Sequence, residues 1–240
     1  MAPFDFRARF LRQENSGPAK ARNQGAAHAL GEWLVFLDDD CVPRPDWLQH
    51  FDNAARQHPA ALLGGSTRNA CPDNVFAETN QRLVDFVVRW FEKTNSAMRF
   101  FASNNFAVPS ASFRDLGGFD VTFPIPGGED REFCARWLAS GREMLHVPAA
   151  WIDHYHPQSF TKFLEMHYRY GRGAALFHQR RKTSPAAVSS ASFYQELFRA
   201  FWSADRKVTN TTLVALTQAA AAAGFAKERL KPSNAGGHRG

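Results

Sequence analysis

Residues 33–43 read WLVFLDDDCVP: an apolar run that ends in three consecutive aspartates, Asp38, Asp39 and Asp40. Carboxylates that close repel one another and raise each other's pKa unless a cation neutralises them. Oxygen ligands select a hard divalent ion, Mg²⁺ or Mn²⁺, and such ions commonly bridge to phosphate. The bland alternative is a solvated acidic turn ahead of a helix, since Pro45 and Asp46 form a helix start. A strand-like apolar run directly before the acids favours the metal. A second chemical cluster reads Gly127-Gly128-Glu129-Asp130-Arg131. Its glycines let backbone approach a ligand, and its acids fall in the first turn of a helix, where the macrodipole favours their charge. A carboxylate there can serve as a general base, and simple helix capping is the competing reading.

The elements that must carry these groups follow from periodicity. Residues 33–37 have the composition of a buried mid-sheet strand, and open α/β sheets bind ligands at the carboxyl ends of their strands. Alternation of apolar residues with arginines predicts a half-buried strand over 4–11. A helix from Pro18 to about Leu30, stopped by Gly31, precedes the aspartate strand. Further elements are predicted as helix 45–57, strand 61–68, helix 75–93, strand 105–108, a helix ending at Gly117-Gly118, helix 129–140 and extended chain 144–151. From 159 onward the chain reads as helical. Phe160, Phe163, Leu164, His167, Gly171, Ala174, Ala175 and His178 share one helix face. Residues 232–240, rich in glycine, read as a disordered tail.

Composition bounds the class. A 240-residue chain with 44% hydrophobic and 13% aromatic residues can bury a sizeable core. Cys41, Cys71 and Cys134 are odd in number and lack any CxxC, which argues against a disulfide framework or a zinc site. No apolar leader and no membrane-spanning stretch is visible, so the expected location is cytoplasmic. The net charge of +6 is uneven: residues 1–160 hold 16 Lys/Arg against 19 Asp/Glu, and residues 161–240 hold 13 against 4. No nucleic-acid motif accompanies this basic third, and nucleic acid is not expected as a partner. Arg169, Arg172, Arg180, Arg181 and Lys182 beside Phe160, Phe163, Tyr168, Tyr170 and Phe177 instead fit contact with an anionic membrane surface, peripheral at its inner face.

Four segments in order, AKARNQGAAHALGEWLVFLDDDCVPRPDWL, LGGFD, GGEDREFCARWLASG and HVPAAWIDHYHP, resemble a family 2 glycosyltransferase over roughly residues 6–181. The resemblance implies an inverting enzyme of GT-A fold, an α/β architecture whose mixed or parallel sheet is flanked by helices. Here it would be N-terminally truncated, with a catalytic domain over 1–158 and a helical extension over 159–231. It implies a nucleotide-sugar donor, Mn²⁺ or Mg²⁺, and a saccharide or lipid-linked acceptor, with a role in cell-surface polysaccharide or glycolipid synthesis. By the same match Asp38 and Asp40 hold the cation with His154, His156 being second choice. Arg22, Asn23, Asp38 and Asp39 lie at the donor, and Asp130 is the base beside Glu129. The family's domain normally opens with two β-α units that this chain lacks, so the isolated product is expected to be weakly active or inactive.

Two other readings compete. A catalytically impaired remnant, or a membrane-associated binding module, would keep the tail and lose the chemistry. A haloacid-dehalogenase-like phosphatase would use Asp38 as nucleophile and Asp40 as acid/base, but its further motifs have no convincing counterparts here.

Overall fold

The computed structural model describes residues 7–94, 99–123, 127–181, 191–203 and 206–231. Pro18, whose fixed φ suits the first helical position, starts α1 (Pro18–His28). It is followed by β1 (Trp33–Leu37), the short β2 (Cys41–Pro43), α2 (Trp47–Gln57) and β3 (Leu62–Asn69). Next comes α3 (Val75–Lys93), whose N-cap Asn74 accepts a 2.9 Å hydrogen bond from the Ala77 amide. Then β4 (Asn105–Pro109), α4 (Ser110–Asp115), α5 (Glu129–Ala139) and β5 (Met144–His154) complete the sheet and its near helices. Three long helices close the chain: α6 (Phe160–Arg181), α7 (Ala191–Trp202) and α8 (Lys207–Arg229).

The strands form one mixed sheet in the order β1-β4-β3-β5-β2, and β3–β5 is its parallel pair. Strand alternation sends neighbouring residues to opposite faces. Leu62, Phe106 and Val108 therefore join α1, α4 and α5 in one core, while Leu63, Ala107 and Ile152 join α2 in the other. Phe36, Phe106, Phe113, Phe119 and Phe133 form the heart of the first core, with Phe113–Phe133 and Phe119–Phe133 centroids each 5.2 Å apart. Where β5 shifts register against β3 between Gly64 and Ser66, buried Asn105 donates to the Ser66 and Ala150 carbonyls and accepts from Trp47 Nε1 at 2.8 Å. Removing that amide would leave buried groups unpartnered at about 1–3 kcal/mol each, so a polar side chain is favoured in this core position.

Three expectations need correction. Strand β1 lies at the sheet edge, hydrogen-bonded on one side to β4, rather than mid-sheet. Residues 7–11 form no strand, and Arg7, Ala8, Arg9 and Phe10 are exposed; residues 4–6 lie outside the described residues. The aspartates also do not run directly into a helix, because β2 intervenes. Leu83 and Phe86 of α3 pack with Phe193, Leu197 and Phe201 of α7 and Val214 of α8. Phe163 and Phe177, assigned above to a membrane surface, are fully buried. Arg172 pairs with Glu228 at 2.7 Å and Arg169 pairs with Glu165. Lys182 and the tail 232–240 lie outside the described residues. Among the described residues no helix is long and apolar enough to cross a membrane.

Candidate functional site

The antiparallel pairing of β2 with β5 sets Cys41 opposite His154. A one-residue offset from that pair brings Asp40 to the histidines: Asp40 Oδ2 lies 3.2 Å from His154 Nε2 and 3.1 Å from His156 Nδ1. The Tyr155 amide donates to the Asp40 carbonyl at 2.8 Å and pins the turn that carries both. Burial opposes the charge of Asp40, but His154 and then His156 outweigh it and hold the carboxyl below its ordinary range. Asp40, Cys41 and His154 offer ligand atoms within 4.8 Å of one another. Burial, reinforced by Asp40 and Asp38, pushes the Cys41 thiol up to about 12. Asp40 and His154 could therefore hold a divalent cation, and Cys41 would have to give up its proton to join them.

Helix α1 supplies the bridge between the two acidic clusters. Arg22 Nη2 donates to Asp38 Oδ1 at 2.6 Å, and its Nη1 donates to Glu129 Oε1 at 3.2 Å. Burial works against the guanidinium's charge, yet Asp38 and then Glu129 raise its pKa. Asp39 sits at the turn and is exposed.

The acid pair stands in a contrasting environment. Gly127 and Gly128 hold φ at 115° and 106°, values that a side chain would strain, and so turn the chain sharply into α5. Glu129 is buried and accepts from the Gly127 amide at 2.9 Å as well as from Arg22. Burial, and then the neighbouring charge of Asp130, pushes Glu129 up to about 7. Burial likewise raises Asp130, whose Oδ1 accepts from the Arg131 amide at 2.7 Å. Both acids line the cleft described next, Glu129 tied to Arg22 and the Gly127 amide and Asp130 to the Arg131 amide.

A cleft of about 820 Å³ collects these groups: Arg22, Asp38, Asp39, Asp40, Glu129, Asp130, His154 and His156 all line it. Asn23 does not. Its amide donates to the Phe119 carbonyl at 2.8 Å and accepts from the Phe119 amide at 2.9 Å, so it anchors the Gly117-Gly118-Phe119 turn instead. The opposite wall comes from α3 and α6 through Asn80, Lys162, Arg169 and Tyr170, residues the sequence did not assign to a site. The signal for Tyr170 was faint: a ring that contacts Gly127 cannot be inferred from helix periodicity, which places it off the packed stripe.

A glycosyl transferase family 2 model matches residues 1–116, and a model of the N-terminal domain of galactosyltransferase matches residues 85–159. A mannosyltransferase from Pyrobaculum calidifontis, solved with GDP-Man and Mn²⁺, superposes with a TM-score of 0.54 at 17% identity, covering 89% of this chain and 67% of that one. The fold is therefore GT-A. These matches support a glycosyltransferase of family 2. Pre-mycofactocin glycosyltransferase of Mycobacterium tuberculosis is 28% identical over 185 residues, 74% of this chain and 39% of that protein. Validoxylamine A glucosyltransferase of Streptomyces hygroscopicus subsp. jinggangensis is 29% identical over 173 residues, 60% of this chain and 41% of that protein. The chain thus spans about two fifths of the length of these curated relatives.

Proposed function

We propose that this glycosyltransferase moves a sugar from a nucleoside-diphosphate donor to an acceptor hydroxyl with inversion, using a divalent cation. The observation that carries the reading is one cleft holding a carboxylate–imidazole pair, Asp40 with His154, and a half-buried acid, Asp130, with Arg22 bridging their neighbours Asp38 and Glu129. Asp40 and His154 would hold Mn²⁺ or Mg²⁺, with Asp38 and Asp39 toward the donor, and His156 contacts the same Asp40 oxygen as His154. When bound, the ion supplies positive charge against the donor's diphosphate. The mannosyltransferase with the same fold carries GDP-Man and Mn²⁺, which supports this donor class.

Asp130 accepts the acceptor's hydroxyl proton. The acceptor oxygen bonds to the anomeric carbon as the carbon–oxygen bond to the diphosphate breaks, and that electron pair leaves on the phosphate oxygen. A single displacement needs one base and no covalent nucleophile, and much of the acceleration comes from positioning. Arg22 positions both halves: it fixes Asp38 toward the donor side and offsets the charge of Glu129 behind the base. The test is the anomeric configuration of the product formed from a screened nucleotide sugar, read by NMR. Inversion together with loss of transfer in Asp130→Asn is the expected result. Retention, or an Asp130→Asn variant of undiminished rate, would overturn the reading.

A further inference from the structure

The cleft does not end at Asp130. Behind it lies a second cavity of about 270 Å³ between α3, α6 and α7, walled by Leu83, Val87, Phe100, Phe177 and Phe193. The two spaces share Asn80, Ala102, Gly127, Asp130 and Tyr170, so the acid sits at a junction with a polar chamber on one side and an apolar one on the other. None of the donor-side aspartates or histidines reaches the inner chamber.

Among the described residues, two polar atoms at this inner end have no partner. Asn80 Oδ1, at the junction, and His167 Nε2, deeper in, are buried without a hydrogen bond. His167 is only 4% exposed, its ring edge-on to Phe163 at 4.8 Å and to Tyr170 at 5.6 Å. Leaving such atoms unpaired carries a desolvation penalty that a ligand's polar groups can relieve. The guanidinium of Arg131 lies 4.7 Å from the Phe100 ring centroid and forms a flat cation–π wall along the chamber. A dry cavity of about 150 Å³ lined by apolar side chains is large enough for benzene, so this one admits a substituted ring.

We propose that the inner chamber is the acceptor's specificity pocket, and that it takes an acceptor whose hydroxyl is carried on an apolar, ring-sized body. The body fills the space among Leu83, Val87, Phe100 and Phe193. The hydroxyl stands at the junction beside Asp130, and Asn80 and His167 accept or donate to its remaining polar groups. This rests on the reading of Asp130 as the base. A plain polysaccharide chain would leave this chamber unfilled, whereas an aryl glycoside or an aromatic alcohol would fill it.

The probes are phenyl β-D-glucoside and methyl β-D-glucoside, titrated against the full chain by NMR, with UDP and GDP plus Mn²⁺ titrated in parallel. The phenyl compound should bind at least tenfold more tightly. That advantage should vanish in Ala174→Phe and in Val87→Phe, which fill the chamber from α6 and α3, while nucleotide binding stays unchanged and certifies the fold. Equal affinities in the wild type, or a phenyl advantage that survives both variants, would overturn the pocket. Aryl binding intact without any metal-dependent nucleotide binding would instead count against the donor-cleft reading and leave the pocket standing.

Discussion

The two acidic clusters of this cleft use the same side-chain chemistry to opposite ends. Asp38, Asp39 and Asp40 stand at a strand end, half in water, with Arg22, His154 and His156 supplying positive or protonatable partners. Glu129 and Asp130 stand in a glycine cradle, largely out of water, and burial drives both toward holding a proton. Environment, rather than residue type, sorts them into a cluster fit for a cation and a cluster fit for proton transfer. Arg22 pairs with one acid of each cluster.

The largest break in this comparison is expected from Asp130→Asn, which keeps the shape of the proton-transfer cluster and removes its base. Transfer should fall by about 10²–10⁴-fold, the usual share of a general base. Metal-dependent nucleotide affinity, followed by calorimetry on the same sample, should hold. The reciprocal variant, Asp40→Ala, should abolish metal-dependent binding of UDP, GDP or dTDP while leaving the melting temperature close to that of the wild type. Nucleotide binding that persists without metal dependence would move the donor site away from the aspartates.

Arg22→Met tests the bridge. It leaves buried Glu129 without its cationic partner, and the cost of stripping one member of a buried pair is about 3 kcal/mol. Chemical denaturation should show a loss of that order. A neutral result would mean that Arg22 serves the ligand alone.

A subtler effect concerns pH. The unfolded chain releases the Glu129 proton near its ordinary 4.5, whereas the fold holds it up to about 7. The proton therefore favours the folded state fully below about 4.5, and that contribution is lost as pH rises through 7. Glu129→Gln should flatten the decline in melting temperature across this window. With a like charge removed from beside Asp130, the acid limb of the rate profile should also move to lower pH. The smallest change is expected at Cys41→Ser. The buried thiol keeps its proton, so Mn²⁺ affinity should shift by less than about twofold on this account of ligand protonation.

How much of this was legible beforehand varies by element. The bounds of α3 match the apolar period at both ends, and β1 was clear from its run of large apolar residues. Strand β2 was hidden, because three residues between an acidic turn and a proline carry no period of their own. The edge position of β1 was also hidden, since burial on one face and burial on two leave similar short apolar runs. Among the site residues, the strand-end aspartates and the histidines were visible as motifs, and a single register, Cys41 opposite His154, brings them together. Asn23 was misassigned because a motif gives adjacency in sequence, not direction in space. The wall from α3 and α6 was invisible for the same reason: Asn80 and Tyr170 meet the acid pair only through long-range packing.

The seating of α6 carries a consequence for how this enzyme can change. A methyl group on Gly173 would come within 1.9 Å of the Gly127 carbonyl oxygen, and one on Gly171 within 1.9 Å of the Ala221 carbonyl. On α8, Gly224 stands equally tight against Tyr168, at 2.0 Å. The turn that aims Asp130 is therefore machined to the surface of a helix more than forty residues further along, which is itself fitted to the next with no tolerance. Loops around the cleft are free to drift and retune what enters it. The helical third has less room: with Asp130 read as the base, slack between α6 and α8 would pass to the turn that carries it, so the helices that wall the cleft also set the aim of its chemistry.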